Sequence, residues 1–373
     1  MAEEISPDLG FIKDIIAWGG DSLKKCFQCA TCAVICPLST DTKPFPRKEM
    51  IWAQWGLMDK LVGNPDIWLC HQCNDCSLHC PRGAKPGDVL ASVRRYSFMN
   101  YAFPRFMGRL LSDIRNLPYL LALPMIIFII LLASIGHLNI PEGEIVFSRF
   151  FPIFYIDVVF ITVSLLALLS AGIGISNFWK GMERNSNPWM PGTGMGLIPS
   201  IISTVTQVLG HNKFKDCGVN KDRYRAHLLV FYGFVGLFIT TNIILVLVDF
   251  LHIETPLPFI HPAKILGNVS GIAVLVGITL VLLNRLKNKD ITIATSYDWV
   301  FIWMIYALVI SGILTEVTRL AGIPFLAYPI YLIHLVVVFY IIGYLPYSKL
   351  AHLLYRSVAM VYSRYSGREG III

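Results

Sequence analysis

A chain of 373 residues that is 55% hydrophobic, with a mean hydropathy of +0.61, is too apolar for an ordinary soluble protein and long enough for two domains. Its net charge of +7 does not point to a nucleic-acid partner, because the basic residues collect in loops between apolar runs, where membrane proteins place them. No G-x-G-x-x-G or P-loop segment occurs, nor any residue set for acyl, phosphoryl or hydride transfer, so chemistry of those kinds falls to partner proteins.

The start, MAEEISPDLGFIKDIIAWGG, carries acidic residues and no basic stretch ahead of an apolar one, so the N-terminal part is expected to stay in the cytoplasm. Eight of the nine cysteines fall between residues 26 and 80. In a reducing compartment that crowding argues for metal ligation rather than disulfides. The segments CFQCATCAVICP and CHQCNDCSLHCP repeat the pattern CxxCxxCxxxCP with an offset of 44 residues. Three closely spaced thiolates wrap one face of an iron-sulfur cubane, and in two-cluster ferredoxins the fourth cysteine reaches across to the other cluster. The expected ligands are therefore Cys26, Cys29, Cys32 and Cys80 for cluster one, and Cys70, Cys73, Cys76 and Cys36 for cluster two, both [4Fe-4S]. Zinc sites usually show paired CxxC knuckles without a fixed fourth Cys-Pro. His71 and His79 lie inside the second motif as surrounding residues, and the isolated Cys217 has no expected metal role.

Between the motifs, PRKEMIWAQWGLMDKLVG places Met50, Ala53, Leu57 and Leu61 at helical spacing and ends at Gly63 as a C-cap. The spacing predicts an α-helical ferredoxin domain over residues 1–112. Residues 113–373 then hold six apolar segments long enough to cross a bilayer, at about 119–137, 153–175, 226–248, 265–283, 299–315 and 328–346. The expected fold class is all-α, an N-terminal two-cluster ferredoxin domain followed by a six-helix transmembrane bundle. Polar residues interrupt Met195 to Leu209, which reads as an interfacial or docking helix within the loop 176–225. Lys180, Arg184, Lys213, Lys215, Lys221, Arg223, Arg225, Arg285, Lys287, Lys289, Lys349, Arg356, Arg364 and Arg368 all fall on the side of the N-terminal domain. The positive-inside rule thus also puts that domain, the second loop and the C-terminus in the cytoplasm, with the bundle in the cytoplasmic membrane.

His227, His334 and His352 lie in or beside apolar helices, where a polar ring needs a partner such as haem iron. His334 and His352 are 18 residues apart, which on one continuous helix would align them over about 27 Å near opposite membrane surfaces. His227 and His352 form the expected axial pair of an inner haem b. His334 would serve an outer haem with His261, which starts a membrane helix in HPAKILGN, or else with His252 or His137. One or two haems are expected, two being favoured.

The stretch HLVVVFYIIGYLPYSKLAH at 334–352 resembles the last haem-binding helix of nitrate reductase gamma-type cytochromes b, including the spacing of its two histidines. In that family the histidine nearer the cytoplasm ligates the inner haem, which implies His352, and AHLLVFYGFVG places His227 at the matching position of the earlier helix. The family's further histidine, ten residues on, is replaced here by Leu237, so a second outer ligand must come from elsewhere. The N-terminal part resembles the C subunit of soluble heterodisulfide reductases. That order of domains resembles the C subunit of the quinone-interacting membrane-bound oxidoreductase, Qmo. The resemblance implies menaquinone as substrate, two flavin and iron-sulfur partner subunits (A- and B-like), and an indirect link to adenylylsulfate reductase in dissimilatory sulfur metabolism. His261 and Lys264 are then candidates for a quinone site. The alternatives are a heterodisulfide reductase-like or Dsr-type membrane subunit, the latter with the opposite domain order, and a haem-free anchor for a ferredoxin relay.

Overall fold

The computed structural model describes residues 6–40, 43–185, 194–211, 223–289, 291 and 293–368. Lys213, Lys215, Cys217, Lys221 and the expectations attached to them lie outside the described residues. Every regular element among the described residues is helical.

The N-terminal domain is assembled from short helices: α1 (Leu9–Ile15), α2 (Thr31–Ile35), α3 (Arg47–Gln54), α4 (Met58–Val62), α5 (Asp66–Leu69) and α6 (Asp75–Leu78). Two longer ones follow, α7 (Pro86–Tyr101) and α8 (Arg105–Ser112). The connection between the cysteine motifs is helical, but it consists of two helices where one was expected. Gly56 sits at φ +68°, a left-handed conformation that ends α3 and turns the chain into α4. Gly63 caps α4 at φ −95°, outside the left-handed region. Met50, Ala53 and Leu61 are buried, whereas Leu57 in the turn is half-buried.

Next come α9 (Leu117–Ser134), α10 (Phe147–Phe150), α11 (Ile153–Arg184), α12 (Leu197–Gly210), α13 (Arg223–Leu245), α14 (Pro262–Lys287), α15 (Ser296–Leu320), α16 (Pro324–Gly343) and α17 (Ala351–Tyr365). Six of these, α9, α11, α13, α14, α15 and α16, are long and apolar enough to cross a membrane, making this a multi-pass membrane protein. Only 11% of the most apolar window of α13 is buried inside the protein, so the rest of that surface is left for lipid. Local signals set the helix starts: Pro262 and Pro324 occupy first-turn positions, and Thr295 with Asp298 forms a capping box on α15. α13 and α14 pack closely through small residues. A Cβ at Gly233 would come 2.5 Å from Val274 Cγ2, and one at Gly277 would come 2.8 Å from the Val230 amide nitrogen.

The last span does not run on to His352. α16 ends at Gly343, a 3-10 turn covers Leu345–Tyr347, and α17 starts afresh at Ala351. Pro346 has no N–H to give the carbonyl of Ile342, so the helix stops and the chain redirects. The alignment of His334 and His352 along one helix is therefore overturned, and the two histidines stand on separate helices.

The two halves share a hydrophobic core. Phe178 and Met182, at the end of α11, are fully buried with Trp68, Val93 and Phe98 of the N-terminal domain and with Tyr355 and Ala359 of α17. The Asn185 side-chain amide donates to the Asp59 carbonyl at 2.7 Å. α12 lies against α17, where Arg364 reaches the Thr204 hydroxyl at 2.8 Å and the Gln207 side chain. Ser200 and Thr204 face inward, while Ile198, Ile202 and Val205 are exposed. That polarity suits a helix lying at a membrane surface, as expected of residues 195–209.

Candidate functional site

The cysteine loops are copies of one another in conformation as well as sequence. Gln28 and Ala30 flank Cys29 at φ +60° and +68°, and Gln72 and Asn74 flank Cys73 at +52° and +69°. Four non-glycine residues in the left-handed region cost about 1–2 kcal/mol each, so the surrounding packing must hold them there. This turn curls each CxxC segment back on itself. An α-helix then starts directly after each curl, at Thr31 and Asp75.

Thiols of the two motifs lie near one another, Cys80 beside Cys26 and Cys32, and Cys36 beside Cys70 and Cys73, with Cys32 also facing Cys36 and Cys76. The Cys26 thiol is pushed up by burial and by its neighbours Cys80 and Cys29. Burial and the neighbours Cys26, Cys29 and Cys80 push Cys32 up to about 11. Burial with Cys70, Cys73 and Cys32 takes Cys36 to about 12. Cys76 is buried, and its thiol is pushed up by that burial and by Cys70, Cys73, Cys36 and Cys32. Cys29 is exposed and lowered by its hydrogen bond from Thr31, 3.4 Å away. Cys36, Cys70, Cys73 and Cys76 line a single cavity closed by Leu38, Phe45 and Leu90. Among the described residues no three His, Cys, Asp or Glu side chains form a group that could hold one metal ion. The four cysteines that line one cavity fit a polynuclear centre whose metal atoms each take one thiolate. Crowded thiols that raise one another's pKa ionise once a cationic centre supplies the compensating charge.

At the same end of the bundle the structure groups three histidines where the sequence pointed to two. His211, the left-handed C-cap of α12, is buried, with its Nδ1 3.3 Å from the Leu209 carbonyl. A carbonyl only accepts, so that nitrogen carries the proton and Nε2 accepts. The Nε2 atom lies 3.1 Å from His227 Nδ1, which must then be the donor. Burial lowers the His211 pKa, keeping the ring neutral as this relay requires. His352 lies close enough to His227 to interact with it electrostatically, and its own Nδ1 donates to the Lys349 carbonyl at 2.6 Å. Both rings are thus the Nδ1–H tautomer, the form that offers Nε2 to a metal. His211 escaped the sequence reading because it ends a weak amphipathic helix; its place two residues after Leu209 was the available signal.

His334 repeats the pattern in the bundle. The Ser311 hydroxyl donates to the Leu308 carbonyl and accepts from His334 Nδ1 at 2.9 Å, which again leaves the lone pair on Nε2. Gly312 faces the ring, since a Cβ there would stand 3.1 Å from His334 Cε1. His261 does not match. Its Nδ1 accepts the Ala263 amide at 3.3 Å as a helix cap, so the neutral ring carries its proton on Nε2. Such a ring is a hydrogen-bond donor and not a ligand through Nε2. Lys264, one turn on, forms an ion pair with Glu316. His137 Nδ1 lies 3.1 Å from the Phe150 carbonyl, and His252 is an exposed residue at φ +52°. His71 lines the second thiol cavity and contacts Arg356, and His79 contacts the Asp75 carbonyl.

The 4Fe-4S dicluster domain family matches residues 22–84 and the Citrate utilization protein B family matches residues 109–370. The C subunit of the H(2):CoB-CoM heterodisulfide,ferredoxin reductase of Methanothermobacter marburgensis is 40% identical over 87 residues, 23% of this chain and 47% of that protein. The chain therefore spans about half the length of the heterodisulfide reductase C subunits it matches. The E subunit of the Dihydromethanophenazine:CoB--CoM heterodisulfide reductase of Methanosarcina thermophila is 30% identical over 152 residues, 37% of this chain and 58% of that protein. Citrate utilization protein B of Escherichia coli is 28% identical over 317 residues, 81% of this chain and 82% of that protein. No solved structure matches. The N-terminal domain is thus an iron-sulfur domain of the heterodisulfide reductase C type joined to a multi-pass membrane region, and the chain belongs to the Citrate utilization protein B family.

Proposed function

We propose that this protein is the quinone-reactive membrane subunit of a multi-subunit oxidoreductase, passing electrons between menaquinol or menaquinone and cytoplasmic flavin and iron-sulfur partners. The single observation that carries the reading is the meeting of the cysteine motifs and the histidine-bearing helix α17 at one end of the bundle. α17 holds His352 and, three residues later, Tyr355, whose ring stacks at 5.4 Å on Trp68, two residues before Cys70. Cys26, Cys29, Cys32 and Cys80 would hold one [4Fe-4S] cluster and Cys36, Cys70, Cys73 and Cys76 the other. His227 and His352 would hold an inner haem b, with His334 the residue for a second. These groups supply one-electron carriers when bound. The chain's own residues do the rest. The crossed cysteines tie the two motifs together, Leu38, Phe45 and Leu90 shield the second thiol cavity, and His211 and Lys349 fix the histidine tautomers. His261, as an Nε2–H donor beside Lys264 at the far end, suits a quinone carbonyl better than an iron.

Iron, sulfide and pyridine haemochrome counts on the purified protein test the reading, followed by reduction of the clusters with a menaquinol analogue. About eight irons in clusters per chain, at least one haem b and quinol-dependent cluster reduction are expected. Colourless, zinc-loaded protein would refute it, and clusters without haem would leave the anchor alternative standing. The Qmo-like domain order narrows the soluble partners to two flavin subunits and adenylylsulfate reductase. The likeness to Citrate utilization protein B over 81% of the chain favours a second reading of the partner alone, in which it belongs to citrate utilization. Co-purification from the native membrane separates the two.

A further inference from the structure

The two cysteine loops are alike in sequence and backbone, so any difference in what holds them reflects placement. In the first loop the Gln28 carbonyl accepts from Arg47 Nε at 3.2 Å, and the Cys26 carbonyl accepts from the Gln54 side-chain amide at 2.8 Å. Both donors come from α3 of the same domain, and one of them is charged. In the second loop the corresponding Gln72 carbonyl accepts from Arg223 Nη1 at 2.7 Å. The corresponding Cys70 carbonyl accepts from Arg94 Nη1 at 3.1 Å and from Arg356 Nη1 at 3.2 Å. Arg356 Nη2 also lies 2.9 Å from His71 Nδ1, and Arg94 Nη2 donates to the Gln72 side chain at 2.8 Å. Among the described residues three guanidinium groups thus hydrogen-bond the second loop, against Arg47 alone at the first, where Arg82 adds only a stacking contact over the Phe27 ring at 4.1 Å.

Two of the three come from the membrane half. Arg223 lies four residues, about one helical turn, before His227 on α13. Arg356 lies four residues after His352 on α17. The two helices that carry His227 and His352 therefore also hold the Cys70–Cys73 loop, one turn away and on the same helical face.

We propose that Arg223 and Arg356 couple the Cys36, Cys70, Cys73 and Cys76 centre to the inner histidines, making it the membrane-proximal and higher-potential member of the cluster pair. This rests on the cluster reading above and goes beyond it, since neither ligand assignment nor family likeness orders the two centres. The physical reason is charge. Adding an electron to a thiolate-bound cluster increases its negative charge, and fixed guanidinium groups in a partly buried site favour that reduced state. The exposed Cys29 loop, with Phe27 and Val34 also at the surface, is left at the outer end of the relay.

The test is an EPR-monitored redox titration of the full-length protein in nanodiscs with both clusters loaded. C36S and C80S assign the two signals. R223Q and R356Q are each expected to shift the second cluster to lower potential while leaving the first in place, and the double variant to shift it further. R356K, which keeps the charge, should restore most of the shift. R47Q should move only the first cluster. Equal movement of both clusters in R223Q or R356Q, or movement of neither, overturns the proposal. Unaltered potentials with both signals present count against this inference alone. Absence of both signals from the parent protein refutes the cluster reading and this inference with it.

Discussion

Replacing Phe178 by alanine should loosen the N-terminal domain from the membrane bundle without touching any cysteine. Phe178 has no exposed surface and stands at ring-centroid distances of 5.9 Å from Trp68, 5.5 Å from Tyr101 and 5.3 Å from Tyr355. Truncating a fully buried phenylalanine costs about 3–5 kcal/mol, and aromatic pairs contribute about 0.5–1.5 kcal/mol each beyond area. A loss of about 4 kcal/mol at this junction raises the population of the opened state roughly a thousandfold, at 1.4 kcal/mol per factor of ten. Hydrogen–deuterium exchange reads this directly, because amides of α5 and α7 exchange through that opening. Protection in Asp66–Leu69 and Pro86–Tyr101 should fall in Phe178→Ala, and much less in Phe178→Leu. Iron content should stay at the parent level. Unchanged exchange in α5 and α7 would refute the shared core as the element that holds the halves together.

Cys36→Ser should remove the same EPR signal as Cys73→Ser, and Cys80→Ser the same signal as Cys29→Ser, although each pair straddles the two motifs; pairing by motif instead would disprove the crossed ligand sets. Glu49 is buried, and burial, opposed by Lys48, raises its pKa from 4.5 to about 7. The folded state then binds that proton more tightly, so about 3 kcal/mol of stability present below pH 4.5 is lost as pH rises towards 7. Glu49→Gln should therefore melt higher than the parent at pH 8 and converge with it near pH 4.5, as scanning fluorimetry would show. Asp66 has the opposite sign: although burial works against its ionised form, the Arg368 guanidinium at 3.0 Å and Lys48 at 3.4 Å hold its pKa below the usual carboxylate range. Its contribution is present above about pH 4 and fades as pH falls through the depressed value, and Asp66→Asn should cost about 3–5 kcal/mol by chemical denaturation at pH 7. His211→Ala leaves the His227 Nδ1–H without its acceptor and should weaken haem retention about 10- to 100-fold in a haem-transfer assay, with cluster content unchanged.

Composition and spacing were enough for the elements that depend on short-range chemistry. Six apolar runs became six spans because a backbone in hydrocarbon must bond to itself and about 20 apolar residues cover the thickness. The doubled cysteine pattern marked the iron-sulfur domain, since closely spaced thiols followed by Cys-Pro are a local signature. Polar Ser200, Thr204 and Gln207 within residues 195–209 were likewise sufficient to set that helix apart from the spans. Other features needed the folded molecule. Pro346 divides the helix expected to carry both His334 and His352, and Gly56 divides the one between the cysteine motifs. In both cases periodicity continued across a break that backbone stereochemistry imposed. The proton position on His261 depends on its capping the Ala263 amide, and the part played by His211 depends on a partner 16 residues away. Above all, two loops with nearly the same sequence acquired different surroundings, one held within its own domain and one gripped by Arg223 and Arg356. Local sequence determines how each loop curls, because steric limits on φ and ψ act over a few residues. Which charges surround it is decided only when distant helices pack against it, because an electrostatic environment is a property of three-dimensional distance.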